Sequence, residues 1–289
     1  MRYAYYPGCS LESTGIEYYL SSLAVARKLG VELWEIPEWN CCGASFAHSS
    51  SYLLSLALPA RNLVLAEKEG LDVVVSCAAC YSRLKNAVYE ARKSVEVKEK
   101  IGQAIGQEYR AQAEVYSMIE VFTNHLGLEK VAQAVVRPLE GLRVASYYGC
   151  LLVRPPELAM DDAENPRSLE RITMAIGGAP VEWNFKVECC GAFHSTFRPD
   201  VGFQMIDRIL EDALREGADC IALACPMCMM NLDMRQKDIN KMKKSNSYIP
   251  VLYFTELMGL ALGLAPKELG VNRHFVNAMP LLKKKVLQQ

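Results

Sequence analysis

The sequence predicts an α/β protein made of two duplicated domains, each with a small, largely parallel sheet flanked by helices, and the two related by pseudo-two-fold symmetry. The first observation behind this prediction is an internal repeat. The segments RYAYYPGC (2–9) and EGLDVVVSCAAC (69–80) return as RVASYYGC (143–150) and EGADCIALACPMC (216–228). The second is a Cys-Cys-Gly run that occurs once in each copy, and the third is an alternation of strand and helix patterns.

The repeat divides the chain into two domains of similar size. The offset between the copies is 141 residues at the first cysteine and 148 at the last, so the second copy carries a seven-residue insertion. A period of this length is too long for a solenoid and indicates a duplicated domain. Pro138 and Gly141 interrupt the chain between the copies. We place the boundary there, which gives domains 1–140 and 141–289.

Strand and helix patterns alternate along the first copy. RYAYY is a short aromatic strand, and the apolar residues Ile16, Leu20 and Leu23 that follow it have a helical spacing that ends at Gly30. VELWEIP predicts a second strand, and the helical stretch after it has Pro59 as its expected start. DVVVS predicts a buried strand, and YSRLKNAVYEARK returns to helix. In sheets built this way, ligands gather beyond the carboxyl ends of the strands.

Composition and charge exclude several classes of function. Lys+Arg is 32 and Asp+Glu is 33, a balance that argues against nucleic acid or an acidic membrane surface as a partner. The N-terminus has no long apolar region of the signal-peptide type. The segment VLYFTELMGLALGLA contains Glu256 and predicts a core helix rather than a membrane span. We therefore expect a cytoplasmic protein.

The eleven cysteines are the unusual feature of the composition. An odd number with two vicinal pairs is a poor disulfide framework, and in a reducing compartment clustered cysteines indicate metal or redox chemistry. Ten of them follow predicted strands in the two copies: Cys9, Cys41, Cys42, Cys77, Cys80, Cys150, Cys189, Cys190, Cys225 and Cys228. The eleventh, Cys220, has no counterpart in the first copy, and we interpret it as a small buried apolar residue.

The spacing of the ten cysteines narrows the kind of site. The first copy reads C-x31-CC-x34-C-x2-C and the second C-x38-CC-x34-C-x2-C. A C-x2-C alone would fit a thioredoxin-like dithiol, but that hypothesis leaves the vicinal pairs unused. Zinc and ordinary cubane iron–sulfur clusters take four ligands, and each copy offers five. The count favours an unusual iron–sulfur cluster in each half, with zinc in one half as the alternative.

These motifs resemble the cysteine-rich CCG domains of the B subunit of heterodisulfide reductase from methanogens and their relatives. The resemblance covers nearly the whole chain, through YAYYPGCSLE, EIPEWNCCGASFAH, ALPARN, CAACYSRLK, CCGAFH and CPMC. Paired CCG units also occur in glycolate and lactate oxidation proteins, in thiol-driven fumarate reductases and in the anaerobic glycerol-3-phosphate dehydrogenase. The resemblance therefore leaves another electron acceptor, such as fumarate, a quinone or a different disulfide, as an alternative.

The resemblance implies a specific reaction, cofactor and set of partners. The B subunit reduces the heterodisulfide of coenzyme M and coenzyme B to two thiols, by one-electron steps between two non-cubane [4Fe–4S] clusters. Carried over by motif position, the five cysteines of each copy hold one cluster. The chain has no G-x-G-x-x-G fingerprint, so electrons come from partners. The resemblance implies the C subunit of the reductase as an iron–sulfur relay, the A subunit as a flavin-containing bifurcating protein, and a hydrogenase or formate dehydrogenase as the donor.

Further candidate residues lie near the motifs. His48 and His194 each follow a Cys-Cys-Gly run and are candidate proton donors, or else histidines that hydrogen-bond in a loop. An anionic substrate needs cations, and arginine suits its oxyanions. For each of the six candidates the alternative is a solvated surface charge: Arg61, Arg83, Lys85, Arg154, Lys186 and Arg198. A zinc-containing electron-relay module without a substrate is the non-enzymatic alternative.

Overall fold

Two four-stranded parallel sheets form the framework of the protein, as the computed structural model of residues 1–44 and 46–287 shows. The first sheet has the order β2-β1-β3-β4 and the second β6-β5-β7-β8. The strands are β1 Arg2–Tyr6, β2 Glu32–Glu35, β3 Val73–Val75, β4 Val115–Ser117, β5 Arg143–Tyr147, β6 Ala179–Pro180, β7 Cys220–Leu223 and β8 Val251–Tyr253. The identical order confirms the predicted α/β duplication.

Helices connect the strands and cover the sheets. Those of the first half are α1 Ile16–Lys28, α2 Ala47–Ser50, α3 Tyr52–Lys68, α4 Ala78–Lys93, α5 Val95–Ile105, α6 Met118–Glu120, the π-helix Val121–Gly127 and α7 Leu128–Gln133. Those of the second half are the 3-10 helix Pro156–Leu158, α8 Ser168–Ala175, α9 His194–Phe197, α10 Pro199–Arg215, α11 Pro226–Met229, the π-helix Met230–Met234, α12 Gln236–Lys243, α13 Phe254–Ala261, α14 Pro266–Leu269, the 3-10 helix Val271–Arg273, α15 Met279–Leu282 and the π-helix Lys283–Leu287.

The central strands are buried because helices pack on both faces of each sheet. Ala4 pairs with Trp34 on one side and with Val73 on the other, in parallel register. In β3 all three valines are buried, as expected for a parallel strand covered on both faces. The sequence therefore shows a continuous apolar run at this strand instead of an alternating one.

Most predicted elements are present, but the predicted helix start at Pro59 is wrong. Helix α3 begins at Tyr52 and contains Pro59 in its interior. The Ser51 side chain caps this helix by accepting a hydrogen bond from the backbone N–H of Leu54 at 3.3 Å. The cap and the buried apolar face outweigh the hydrogen bond that a proline removes. The predicted end at Gly30 is confirmed, since α1 ends at Lys28 and Gly30 has a φ of +72°.

The two halves pack through corresponding elements. Helix α1 follows the first strand of its half and packs against α13, which follows the last strand of the other half. Reciprocally, α8 packs against α6 and the π-helix after it. Ser21 and Thr255 join α1 to α13 through hydroxyl oxygens 2.7 Å apart. This reciprocity is the contact pattern of a two-fold axis.

The boundary predicted after residue 140 lies between α7 and β5 and stays a prediction. The apolar segment near the C-terminus forms β8 and α13, with Glu256 fully buried in it. None of the described helices has the length and apolar character needed to cross a bilayer.

Candidate functional site

A cavity of about 540 Å³ lies between the two halves, at the carboxyl ends of both sheets. Its walls include the ten cysteines that the sequence singles out: Cys9, Cys41, Cys42, Cys77, Cys80, Cys150, Cys189, Cys190, Cys225 and Cys228. The structure therefore brings both sets of five thiols to one space. A molecule in this cavity touches both halves at once.

The parallel strands explain why these thiols meet. Cys9 follows β1, the Cys41–Cys42 pair follows β2, and Cys77 follows β3 directly before α4. The cysteines of the second half follow β5, β6 and β7 in the same way. Since all strands of a parallel sheet point in one direction, their carboxyl ends share one edge, and distant cysteines converge there.

Glycine allows the tight turn after each vicinal pair. Gly43 has a φ of +73° and Gly191 a φ of +84°, a conformation that other residues rarely adopt. The Gly43 N–H donates to Cys41 Sγ at 3.4 Å, and the Gly191 N–H donates to Cys189 Sγ at 3.4 Å. The glycine of each Cys-Cys-Gly run thus turns the chain back and directs a backbone donor at the first sulfur of the pair.

The thiols are close enough to share protons. Cys42 Sγ lies 3.2 Å from Cys80 Sγ. Hydrogen bonding with Cys41, and then with Cys80, lowers the pKa of Cys42 to about 3. A hydrogen bond from Cys150 lowers the pKa of Cys189 to about 6. In each half, hydrogen bonding among neighbouring thiols thus favours the thiolate form of one cysteine, and thiolate is the form that binds metals.

The donor set fits a metal cluster. Cys42, Cys77 and Cys80 are nearly fully buried, as are their counterparts in the second half. Burial opposes ionisation of several adjacent thiols unless positive charge compensates them. Within the described part of the lining, His48 and Arg83 are the residues able to carry such charge. A bound cluster of positive metal ions would supply the rest, and these five sulfurs per half would be its ligands.

The two predicted histidines occupy different positions relative to the cavity. His48 is exposed on α2 and belongs to the lining, at the mouth. His194 is exposed at the start of α9 and is near enough to Cys189 to lower the pKa of that thiol through its charge. His194 is not among the described lining residues. His125 bonds Tyr3, and buried His274 bonds Glu256.

Of the predicted substrate-binding cations, Arg83 belongs to the described lining. Its Nε is buried without a hydrogen-bond partner among the described residues. Arg61 instead donates to the Glu38 carbonyl at 2.8 Å and to Asn40 Oδ1 at 2.9 Å. It holds the loop that precedes the first cysteine pair.

The other four cations are engaged by neighbouring groups. Arg154 and Arg198 are largely exposed and pair with Glu164 at 3.3 Å and Asp200 at 2.9 Å, respectively. Lys85 donates to the Tyr81 hydroxyl at 2.5 Å. Lys186 is buried and pairs with Glu170 at 2.6 Å. None of the four is in the lining formed by the described residues.

The sequence did not single out several residues of the cavity wall. Tyr148 lines it, and its hydroxyl donates to Glu170 Oε2 at 2.5 Å, so the Lys186–Glu170 pair holds this ring in place. Its position two residues before Cys150 was the available signal. The apolar part of the wall consists of Ala44, Ala78, Ala79, Leu151, Ala192, Phe193 and Met227.

Comparison with known proteins identifies the family. The model of the CCG cysteine-rich domain matches residues 3–85 and 144–233, more than half of the chain. The chain belongs to the CCG cysteine-rich domain family. Both matched segments contain the five cysteines of their half, and the predicted resemblance is thus confirmed at the level of the family.

Two relatives are similar to this chain over most of its length. The 8-methylmenaquinol:fumarate reductase membrane anchor subunit of Wolinella succinogenes is 36% identical over 96% of this chain and 98% of its own. The B subunit of the ferredoxin:CoB-CoM heterodisulfide reductase of Methanosarcina mazei is 33% identical over 89% of this chain and 88% of its own.

A solved structure shares the fold of this CCG protein. The crystal structure of a hypothetical protein from Helicobacter pylori superposes with a TM-score of 0.78 at 14% identity. The match covers 95% of this chain and about half of the other, 51%. At this identity the likeness concerns the fold alone.

Proposed function

We propose that this chain is the disulfide-cleaving component of a heterodisulfide reductase complex and that its substrate is the heterodisulfide of coenzyme M and coenzyme B. The observation that carries the proposal is the placement of two five-thiol sets around one cavity. The similarity to the Methanosarcina mazei protein supports it. The reaction takes two electrons and two protons to each disulfide and releases two thiols.

The proposed cofactors are two non-cubane [4Fe–4S] clusters, one on the five cysteines of each half. When bound, such clusters supply single electrons and an iron site for sulfur. A single zinc ion in one half is less well supported, because zinc takes four ligands whereas each half brings five thiols to the cavity. Sulfurs distributed around a cavity suit a group of several atoms.

The chain's own residues would bind, orient and protonate the substrate. The apolar wall and the buried Tyr148 ring exclude water from the sulfur atoms. Arg83 faces the cavity as a cation for an oxyanion of the substrate. His48 lies at the mouth, where a histidine can take a proton from solvent and give it to a departing thiolate. His194 lies near Cys189 but is not among the described lining residues.

Electrons reach this chain from partner proteins under this proposal. The partners are the C subunit of the reductase, which holds an iron–sulfur relay, and the A subunit, which holds a flavin. A hydrogenase or formate dehydrogenase is the electron source. Under the same proposal, the complex works in the cytoplasm.

A second candidate function has its own support. The Wolinella succinogenes relative is named for 8-methylmenaquinol and fumarate, and the match spans 98% of that protein. The cavity wall is largely apolar, which suits a quinol ring as well as a pair of sulfurs. In this alternative the chain passes electrons from a menaquinol to a fumarate-reducing partner.

One set of measurements on anaerobically purified protein separates these functions. We expect about eight irons and eight sulfides per chain, and oxidation of a reduced viologen dye when the heterodisulfide is added. About half that iron together with one zinc would overturn the two-cluster proposal. Full iron with no heterodisulfide turnover, but transfer of electrons from a water-soluble menaquinol analogue to an added oxidised dye, would establish the second function.

A further inference from the structure

The third residue after each C-x2-C motif differs between the two halves. Arg83 follows Cys80 by three residues, and Asn231 follows Cys228 by three. Both lie on the helical segment that continues from the motif, α4 in the first half and the π-helix Met230–Met234 in the second. The duplicated fold therefore puts a cation and a neutral amide at corresponding points beside one cavity.

The side chain of Asn231 forms hydrogen bonds with the loop of the second cysteine pair and the start of α9. Its side chain is completely buried. Nδ2 donates to the carbonyl oxygens of Cys190 and Ala192, both at 2.9 Å, and Oδ1 accepts from Ser195 Oγ at 2.7 Å. These bonds hold the turn after the pair in place. The amide therefore positions the loop and is not available to a molecule in the cavity.

Arg83 has no comparable set of partners in the described chain. It is partly buried, lines the cavity, and its Nε is shielded from solvent with no acceptor. No carboxylate of the described residues forms an ion pair with it, in contrast to Arg154, Lys186 and Arg198. A buried guanidinium donor without an acceptor is unfavourable. The Cys42 thiol lies close enough to interact with the charge of Arg83, but no described residue accepts a hydrogen bond from its Nε. An oxyanion in the cavity would supply that acceptor.

The remaining cation-forming residue of the lining lies in the same half. His48 belongs to the described lining, whereas its counterpart His194 does not. The positive side of the cavity is thus the first half, and the opposite wall presents Phe193, Leu151 and Met227. The ten thiols are divided equally between the two halves, whereas both cation-forming residues of the described lining, His48 and Arg83, belong to the first half.

We infer that Arg83 forms an oxyanion subsite on the first-half wall of the cavity and that the described part of the second-half wall has none. A disulfide that carries a sulfonate or a carboxylate close to one of its two sulfur atoms therefore binds in a single orientation, with this group against Arg83. The planar guanidinium can donate two parallel hydrogen bonds to either group. The inference rests on the proposed function, because it assumes that the cavity receives a thiol or disulfide.

The test compares two small thiols that differ in charge. The holoprotein is titrated with 2-mercaptoethanesulfonate and with 2-mercaptoethanol, and binding is followed by equilibrium dialysis and by electron paramagnetic resonance, without turnover. We expect wild type to prefer the sulfonate. In Arg83→Gln this preference should fall roughly ten- to hundred-fold, the range for one charge-assisted interaction. Arg83→Lys should retain part of it, since the charge stays.

Controls make each outcome informative. Arg154→Gln removes an exposed arginine near Cys150 and should leave the preference unchanged. Iron content and circular dichroism verify that the Arg83→Gln protein is folded and contains its full iron. If this variant fails either check, Arg83→Lys takes its place in the comparison with wild type. An unchanged preference in a loaded Arg83 variant overturns the inference. The inference is also overturned if the only change in the variant is in the electron paramagnetic resonance spectrum recorded without added thiol, because Arg83 would then interact with the cluster and not with the ligand. Failure of heterodisulfide turnover with the preference intact would overturn only the proposed function.

Discussion

The rings of Tyr18 and Tyr253 stack across the contact between the two halves, with centroids 4.2 Å apart and planes within 8°. Tyr18 lies on α1 of the first half, and Tyr253 ends β8 of the second. Both rings are fully buried, and neither hydroxyl has a hydrogen-bond partner among the described residues. The two halves therefore share one apolar core next to the thiol cavity. A stable contact between the halves keeps the two sets of thiols facing each other.

Two substitutions of Tyr18 separate the contribution of its ring from that of its hydroxyl. Tyr18→Ala removes the stacked ring and leaves a cavity, so we expect a loss of about 3–5 kcal/mol in the free energy of unfolding. Tyr18→Phe removes only an unpartnered buried hydroxyl and should leave this free energy unchanged or raised. Chemical denaturation measures both. Tyr89→Ala, at a residue with 37% exposure, is the control. Equal losses in the Ala and Phe variants would contradict this assignment.

His274 should make stability depend on pH in the alkaline range. Burial alone would lower its pKa, but the charge and hydrogen bond of Glu256, with Asp233 and Glu17, raise the pKa to about 9. Because the folded pKa lies above the unfolded value of 6.5, the stabilisation is complete below pH 6.5 and is lost as pH rises through 9. The full effect is roughly 3 kcal/mol. Denaturation curves of wild type and His274→Gln between pH 6 and 10 measure it.

The outcome for His274→Gln distinguishes an electrostatic from a packing role. We expect the two proteins to differ most at the low end of this range and to converge as the pH approaches 10. A constant difference across the range would mean that His274 stabilises the fold by packing rather than through its charge.

Lys186 should act on stability and not on substrate charge recognition. Its side chain is 5% exposed and that of Glu170 is 3% exposed. Lys186→Met leaves the buried Glu170 carboxylate without its cationic partner, so we expect a loss of about 3–5 kcal/mol in unfolding free energy. Lys186→Met/Glu170→Gln should recover part of this loss, as a double-mutant cycle measures. A stable Lys186→Met protein with a reduced sulfonate preference would instead make Lys186 a substrate ligand.

The sequence predicted the fold and the convergence of the ten thiols on one cavity, because both depend on local, repeated patterns. Cysteines placed after strands converge whenever the sheet is parallel, so spacing alone located Cys42 and Cys190. The candidate cations are different, because a charged residue near a motif in sequence can point anywhere. Lys186 is buried against Glu170, whereas Arg83 reaches the cavity, and only tertiary packing decides between these outcomes. Pro59 likewise lies inside α3 because Ser51 caps the helix at an earlier residue. The expectation that a proline marks a helix start considers the proline alone.

The sharpest test of the five-thiol assignment removes one sulfur from the first cysteine pair. Cys42 lies 3.2 Å from Cys80 and lines the cavity. Cys42→Ala should remove or convert the cluster of the first half and leave that of the second intact, so iron should fall towards about four per chain where four irons bind per half. Cys190→Ala should give the reciprocal result, with the other spectral component lost.

Cys220→Ala is the matched control for these variants. Cys220 is a fully buried cysteine of β7 that is not in the described cavity lining, and burial raises the pKa of its thiol to about 12. Its replacement should keep all iron and cost only about 1 kcal/mol of stability for a small cavity. Iron and sulfide analysis with electron paramagnetic resonance on all three variants shows whether each cluster needs its fifth thiol. If Cys42→Ala retains full iron, an unchanged spectrum and full turnover, four thiols suffice for the first half. The reason for a vicinal pair would then lie in the turn that Gly43 makes, and not in the ligand count.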